Sequence, residues 1–305
     1  IVVRWQSSIT SDFSSDVTDI TNTGSTYTAT NLSATTYYRA EVKSGVCDST
    51  FSSIATITVS ESAAGGSISG GTTVCTGTNS TLLTLNGYTS AVVKWQSAAT
   101  ADFASATDIN ITVDTFRASD LTATRYYRAL IANGACRTYS GTATVSVDPA
   151  SEGGTAAPAS STVCTGTNTT TINLSGQTGT VVKWQSSSVS DFSSDVTDIS
   201  NTTTTITAQN LTSTTYYRAV VQSGVCAPAY SSVATVNVSS QPVGGAVAGS
   251  ATICSGANSG LLTLNGYSGG TISKWQSSAA SNFATATDIT NTANTYTSGA
   301  LTATT

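Results

Sequence analysis

Histidine and methionine are absent from the 305 residues, proline occurs four times, and charged side chains make up only 9% of the chain. Each shortage excludes something. Without histidine, the usual proton shuttles and imidazole-activated nucleophiles are missing. The commonest metal ligand is missing with them, and no two of the six cysteines stand close enough in sequence for a zinc site. The eleven basic residues are scattered and the formal net charge is −5, so no basic stripe faces phosphates and nucleic acid is not expected as a partner. No apolar run approaches the roughly 20 residues that span a bilayer. No signal peptide opens the sequence either, but the repeat pattern described next is expected to place the first residue inside a domain. What the chain has instead is an abundance of serine and threonine, beside 39% hydrophobic residues in alternating runs. Such alternation separates it from a disordered polar chain, and Thr, Val, Ile and Tyr favour pleated strands. The class read from this is all-β.

Repetition sets the organisation. Trp-Gln recurs at Trp5, Trp95, Trp184 and Trp275, at spacings of 90, 89 and 91 residues. Around each copy stand the same landmarks in one order: a Gly-Gly pair, a first cysteine (Cys75, Cys164, Cys254), an apolar strand, and the Trp strand. A Phe, a Thr-Asp-Ile turn, a Tyr-Tyr-Arg triplet, a second cysteine (Cys47, Cys136, Cys226) and a closing strand follow. The expected domains are a partial repeat at 1–60, complete repeats at 61–150 and 151–240, and a partial repeat at 241–305. Residues 2–59 align without a gap on 181–238 with 39 of 58 positions identical, so the copied unit reads as a pair of domains. Copying of that kind extends a protein.

Within one repeat, alternation in Tyr37–Lys43 puts Tyr38, Ala40 and Val42 on one face and Tyr37, Arg39, Glu41 and Lys43 on the other. Seven or so short strands per repeat, split by Gly, Asn, Asp and Ser turns, describe a two-sheet sandwich. The fold class is therefore tandem Ig-like or fibronectin-III-like β-sandwich domains in a linear array. Trp5, Trp95, Trp184 and Trp275, with Tyr38, Tyr127 and Tyr217, are the expected core aromatics. The six-residue spacing of Leu32 and Tyr38 fits a tyrosine corner, in which the hydroxyl bonds to backbone just upstream. Sugar-stacking platforms are the functional alternative for these rings. One buried Trp and one corner Tyr per domain is what a core requires.

Paired cysteines in a low-charge, Thr-rich β chain read as exported and oxidised. Two connectivities compete. Pairing within domains gives Cys75–Cys136 and Cys164–Cys226, each closing a loop of most of a repeat, with Cys47 and Cys254 joined outside the chain. Pairing between domains gives Cys47–Cys75, Cys136–Cys164 and Cys226–Cys254, all at one constant, shorter separation in sequence. The first makes every module self-sufficient and is preferred.

A search for chemistry yields little. The best acidic cluster is Asp12, Asp16 and Asp19, repeated as Asp191, Asp195 and Asp198, and it is the one weak calcium candidate. It thins to Asp102 and Asp108 in the second copy and to Asn282 and Asp288 in the fourth, unlike a ligand set. Polar turns whose Asp side chains bind nearby N–H groups are the simpler reading. No cofactor, resident metal or catalytic residue is expected. Asn-x-Ser/Thr triplets, as at Asn31, Asn110 and Asn210, arise by chance in such a composition. Arg39, Arg128 and Arg218 recur on the outward face beside Tyr37, Tyr126 and Tyr217, as a local surface stack rather than a ligand site.

Leu211–Cys226, with Val181–Ser187 and Val163–Gly166, resembles the Ig-like repeats of giant Bacteroidota cell-surface proteins, with gliding-motility adhesins of the SprB type as named relatives. The resemblance implies an extracellular, cell-surface filament exported by type IX secretion and moved by the gliding machinery at the outer membrane. Its partners would be neighbouring repeats and, through a tip elsewhere, external surfaces or polysaccharide. The leading function is a non-enzymatic stalk for adhesion and gliding. Alternatives are weak multivalent binding by the repeats themselves, or an accessory array on a secreted hydrolase.

Overall fold

The computed structural model describes all residues 1–305, as strands, turns and bends. No helix is long and apolar enough to cross a membrane. The chain divides into two units, Ile1–Pro149 and Ala150–Thr305, each with its own complete repeat.

In the first unit the complete repeat is two sheets. One has three strands, in the order Thr115–Ser119, Ser80–Asn86, Ser67–Ser69. The other runs Thr107–Ile109, Ala91–Ala98, Arg125–Asn133, Ala143–Asp148, Thr73–Cys75, with Cys136–Tyr139 also paired to Arg125–Asn133. All these pairs are antiparallel except the last, in which Thr73–Cys75 lies parallel to Ala143–Asp148. The second unit repeats the plan. Thr155–Ala157, Thr169–Ser175 and Thr205–Gln209 form the small sheet. The large one is Ser160–Cys164, Ala234–Ser239, Thr215–Gln222, Thr180–Ser187, Thr197–Ile199, with Ala229–Tyr230 on Thr215–Gln222.

Period-2 alternation decides what the sheets enclose. In Ser80–Asn86, Leu83 and Leu85 are buried while Leu82 faces out. Leu83, Leu85, Val92, Trp95, Tyr127, Ala129, Ile131 and Val145 make the core of this repeat. Ile172, Leu174, Val181, Trp184, Ile206, Tyr217, Val221 and Val236 make that of the next. Each fully buried side chain of this size contributes about 1.5–3 kcal/mol of transfer free energy. Trp95 and Trp184 are 0% exposed. Each donates its indole N–H to a carbonyl, Val113 and Thr203, at 2.9 Å. Phe116 lies between Trp95 and Tyr127 with centroids 5.9 and 5.4 Å away.

Two expected core residues differ. Trp5 and Trp275 are only partly buried, whereas Tyr38, Tyr127 and Tyr217 are buried. Residues 1–60 lack the strands that cover Trp95 from the small sheet. Residues 241–305 lack the long Tyr-Tyr-Arg strand that pairs with the Trp strand. With one face uncovered, each ring is only partly buried, against Tyr27 or Tyr296.

Thr-Asp-Ile is not a turn. In all four copies it is a three-residue strand (Thr18–Ile20, Thr107–Ile109, Thr197–Ile199, Thr287–Ile289). It pairs with the Trp strand so that Ile109 faces Trp95 and Asp108 faces Gln96. The Gly-Gly pairs that open the two complete repeats are sterically crowded. A Cβ on Gly65 would lie 2.1 Å from the Tyr139 carbonyl oxygen, and one on Gly153 would lie 1.9 Å from that of Tyr230. The glycines let the chain enter each repeat flush against its own backbone.

Candidate functional site

No catalytic constellation converges anywhere, so the recurrent side-chain arrangements define the site. The first is a polar ladder on the outer face of the large sheet. Arg128 donates from Nε to Gln96 Oε1 at 2.9 Å, and Gln96 donates from Nε2 to Asp108 Oδ1 at 2.7 Å. Asp108 Oδ2 takes the Lys94 ammonium at 2.5 Å. Arg218, Gln185, Asp198 and Lys183 repeat it at 2.8, 2.9 and 2.6 Å. In residues 1–60, Arg39, Gln6, Asp19 and Arg4 do the same, with Arg4 also on Glu41 at 2.6 Å. These hydrogen bonds hold the Asp108, Asp198 and Asp288 carboxyls below the usual range, Lys donating first and Gln second. Cross-strand register places all members on one face, since Gln96 lies opposite both Arg128 and Asp108.

The arginine does more than cap the ladder. Its guanidinium is sandwiched between two rings: Phe103 at 4.1 Å and Tyr139 at 3.7 Å for Arg128. For Arg218 they are Phe192 at 4.1 Å and Tyr230 at 3.8 Å, and for Arg39 they are Phe13 at 4.0 Å and Phe51 at 3.8 Å. The stack read from the sequence is thus present, but its rings come from the loop after the Trp strand and from the closing hairpin. The guanidinium is covered on both faces.

The proposed calcium carboxylates are not gathered into a site. No group of three or more His, Cys, Asp or Glu side chains is close enough to hold a metal. Asp12 accepts from the Ser14 N–H at 3.0 Å and Asp191 from the Ser193 N–H at 2.9 Å, closing local turns. Asp16 and Asp195 take left-handed backbone, φ 54° and 52°, and accept from Ser15 and Ser188 hydroxyls at 3.1 and 2.9 Å. Asp19 and Asp198 sit on a strand in the ladder. Three residues with three separate partners leave no shared oxygen cage.

The sequence reading missed an asparagine. Asn79 donates from Nδ2 to the carbonyls of Cys75 and Leu121 at 2.8 and 2.7 Å, and accepts from the Leu121 N–H at 3.0 Å. Asn168 does the same with Cys164 and Leu211 at 2.8, 2.8 and 2.9 Å. The corner upstream of the buried tyrosine is therefore tied by this amide. Cys-x-Gly-x-Asn in all three copies was the available signal.

The cysteines depart from the preferred pairing. Cys75 and Cys226 are disulfide-bonded, whereas Cys47, Cys136, Cys164 and Cys254 are free thiols. Neither Cys75–Cys136 nor Cys164–Cys226 forms. The two cysteines of a repeat lie at opposite poles: Cys75 is opposite Asp148, whereas Cys136 is opposite Asn133. With Arg125 opposite Val145, these poles are eleven strand positions apart. At ~3.3 Å per residue that is about 35 Å, against the ~7 Å limit between bridged Cα atoms.

The last recurrent feature is a parallel pairing near the chain ends of each complete repeat, between its second strand and its last. Thr73, Val74 and Cys75 are in register with Ser146, Val147 and Asp148. Ser160–Cys164 is in register with Thr235–Ser239 over five positions. Thr76 and Thr165 extend each ladder by donating to Asp148 and Ser239 carbonyls at 2.9 Å.

Hollows in residues 243–305 are lined by Leu261, Ile289 and Tyr296 and by Leu264 and Trp275. Leu264, Trp275 and Ile289 match core or core-packed positions Leu85, Trp95 and Ile109 of the complete repeat, so the hollows are open sandwich interior.

Two sheets enclosing one Trp, with the second and last strands joined in one of them, define an Ig-like, fibronectin-III-like sandwich, and the chain is a tandem array of such repeats. It belongs to the family described as Domain of unknown function (DUF8696), matched four times, at residues 2–61, 64–149, 152–240 and 243–305. No curated protein matches it. Among solved structures it is similar to the FN1–FN3 domains of chicken CNTN1, with 12% identity over 78% of this chain and 88% of that one and a TM-score of 0.30. It is also similar to titin domains I67–I69, with 14% identity over 76% and 95% and a TM-score of 0.37. A marsupial T cell receptor has 9% identity over 79% and 93%, with a TM-score of 0.40.

Proposed function

We propose that this chain is a load-bearing spacer, a non-enzymatic stalk within an extracellular surface protein. The observation that carries it is the parallel pairing of the last strand with the second strand in each complete repeat. In parallel neighbours the start of one strand and the end of the other lie at opposite ends of the ladder. Tension along the chain therefore loads all the ladder's hydrogen bonds in shear at once, instead of unzipping them singly. The polar ladder and the arginine stack engage the same residues with one another in each copy, which supports a spacer over a binding module.

The finer reading is a cell-surface filament for adhesion and gliding, exported by type IX secretion and coupled to machinery at the outer membrane. In it, surfaces or polysaccharide are contacted by a tip elsewhere. It rests on the sequence resemblance. Presenting the whole chain to a glycan array and to glass and polystyrene beads tests the division of labour. The spacer reading expects no saturable binding; saturable binding that survives roughly 0.5 M salt, on the order of what screens surface charge, would move adhesion into the repeats.

A further inference from the structure

We propose that the turn Asn133–Cys136 is an interaction surface for the repeat before it: Ser60, the residue that leaves residues 1–60, seats on Gly134, and the two repeats of Ile1–Pro149 move as one body.

The end of the first repeat is marked by Val59, whose N–H donates to Thr35 Oγ1 at 3.2 Å. Val147 and Val238 are held in the same way by Thr124 and Thr214, at 3.1 and 3.4 Å. The very next residue is already held by the second repeat. The Ser60 carbonyl accepts from Cys136 Sγ at 3.4 Å, and a Cβ on Gly134 would lie 2.1 Å from Ser60 Oγ. Gly134, at φ 59°, thus serves twice: it lets the hairpin turn, and its missing side chain leaves the space that Ser60 fills. Burial agrees with this seat. Ser60 is half-buried although the strand before it, Ala55–Ile57, is exposed. Cys136 is half-buried as well, whereas Cys47, at the same position of residues 1–60, is exposed.

The chain is pinned again three residues later. Ala63 packs against the core of the second repeat. The Ala64 N–H donates to Thr89 Oγ1 at 2.8 Å, and the Ala64 carbonyl accepts from the Thr89 N–H at 3.1 Å. Only Glu61 and Ser62 stand between these anchorages, and two residues reach at most about 7 Å. A swing of one repeat against the other must therefore break the contacts of Ser60 or of Ala64.

The junction inside Ala150–Thr305 carries the same clamp. Val243 and Ser268 exchange backbone hydrogen bonds at 2.8 and 3.1 Å. A Cβ on Gly269 would lie 2.8 Å from the Gln241 carbonyl oxygen and 3.2 Å from Ser240 Oγ. Val243 precedes Gly-Gly as Ala64 does, and Ser268 follows Asn-Gly-Tyr as Thr89 does. A stiff joint serves a spacer and a binding array equally, so the inference stands apart from the spacer reading.

The test uses the whole chain in reducing buffer. Amide nitrogen relaxation by NMR should give residues 1–59 and 64–149 one rotational correlation time. Cys136 should react with N-ethylmaleimide at least about fivefold more slowly than Cys47, as a covered thiol does. Ser60→Leu puts a branched side chain on the seat without touching the turn. It should raise the Cys136 rate about fivefold or more and shorten the correlation time of 1–59. Gly134→Asn fills the seat from the other side with a residue that tolerates left-handed backbone, and should separate the correlation times likewise. Both positions lie outside the Trp95 core, whose buried-indole fluorescence reports that the repeat is folded. Different correlation times in the native chain would overturn the proposal. So would a native Cys136 that reacts within about fivefold of Cys47, or native correlation times retained by both variants.

Discussion

Arg128 holds its guanidinium 4.1 Å over the ring of Phe103, a residue whose backbone sits at φ 57°. A left-handed conformation is costly for a bulky side chain. The same strain recurs at Phe13, Phe192 and Phe283. The first two lie under an arginine and are 8% and 7% exposed; Phe283, in the copy without the Tyr-Tyr-Arg strand, is 51% exposed. Arg128→Ala should therefore free the loop after the Trp strand and destabilise its repeat by about 1–2 kcal/mol. Amide exchange should rise around 100–106, and Arg128→Lys should rescue only part, because an ammonium cannot cover two rings at once.

The asparagine clamp gives a sharper stability effect. Asn79→Ala leaves the Leu121 N–H without its partner, while the Leu121 carbonyl keeps the Gly77 N–H at 3.1 Å, and should cost about 1–3 kcal/mol. Asn79→Asp keeps the acceptor but loses both donated bonds, so it should fall between alanine and the native residue. Chemical denaturation reads both. Equal stability of all three would show that the clamp is dispensable.

At Gly153 the prediction is steric. A methyl group 1.9 Å from a carbonyl oxygen cannot be accommodated without moving backbone. Gly153→Ala should lower the melting temperature of the repeat that follows by more than about 5 °C, roughly 1 kcal/mol or more in a domain of this size. A flexible hinge would tolerate the change.

How much of this the sequence discloses follows from which interactions are local. Alternation places Leu83, Leu85, Tyr127 and Ala129 inward, because a period of two is written residue by residue. The repeat gives the all-β class and the array. Partners set by long-range register are not written that way. Asp108 meets Gln96 and Lys94 only once Thr-Asp-Ile is known to be a strand, and Arg128 meets Phe103 only across the sheet. The cysteines mislead because two per repeat suggests a closed pair, whereas the direction of the second and last strands puts them at opposite poles.

The acid limb of stability follows from the ladder. The carboxyls of Asp108, Asp198 and Asp288 are held below the usual range by Lys and Gln. A depressed folded pKa contributes stability above the unfolded value, about 3.9, that is lost as pH falls through the folded one. With no histidine, the melting temperature should be flat from pH 7 to 5 and fall below about 4. The combined Asp108→Asn and Asp198→Asn variant should lose part of that fall. All three pairs are solvent-exposed, so each effect is small and shrinks in salt.

Single-molecule extension of the whole chain under reducing conditions tests the load-bearing reading most directly. It predicts two resolved force peaks, one from 64–149 and one from 152–240, each releasing about 300 Å at ~3.6 Å per residue. The peak from 152–240 should lie at higher force, since its second and last strands share five registered positions against three. Extension without resolved peaks, as expected of sheets that unzip, would contradict the account.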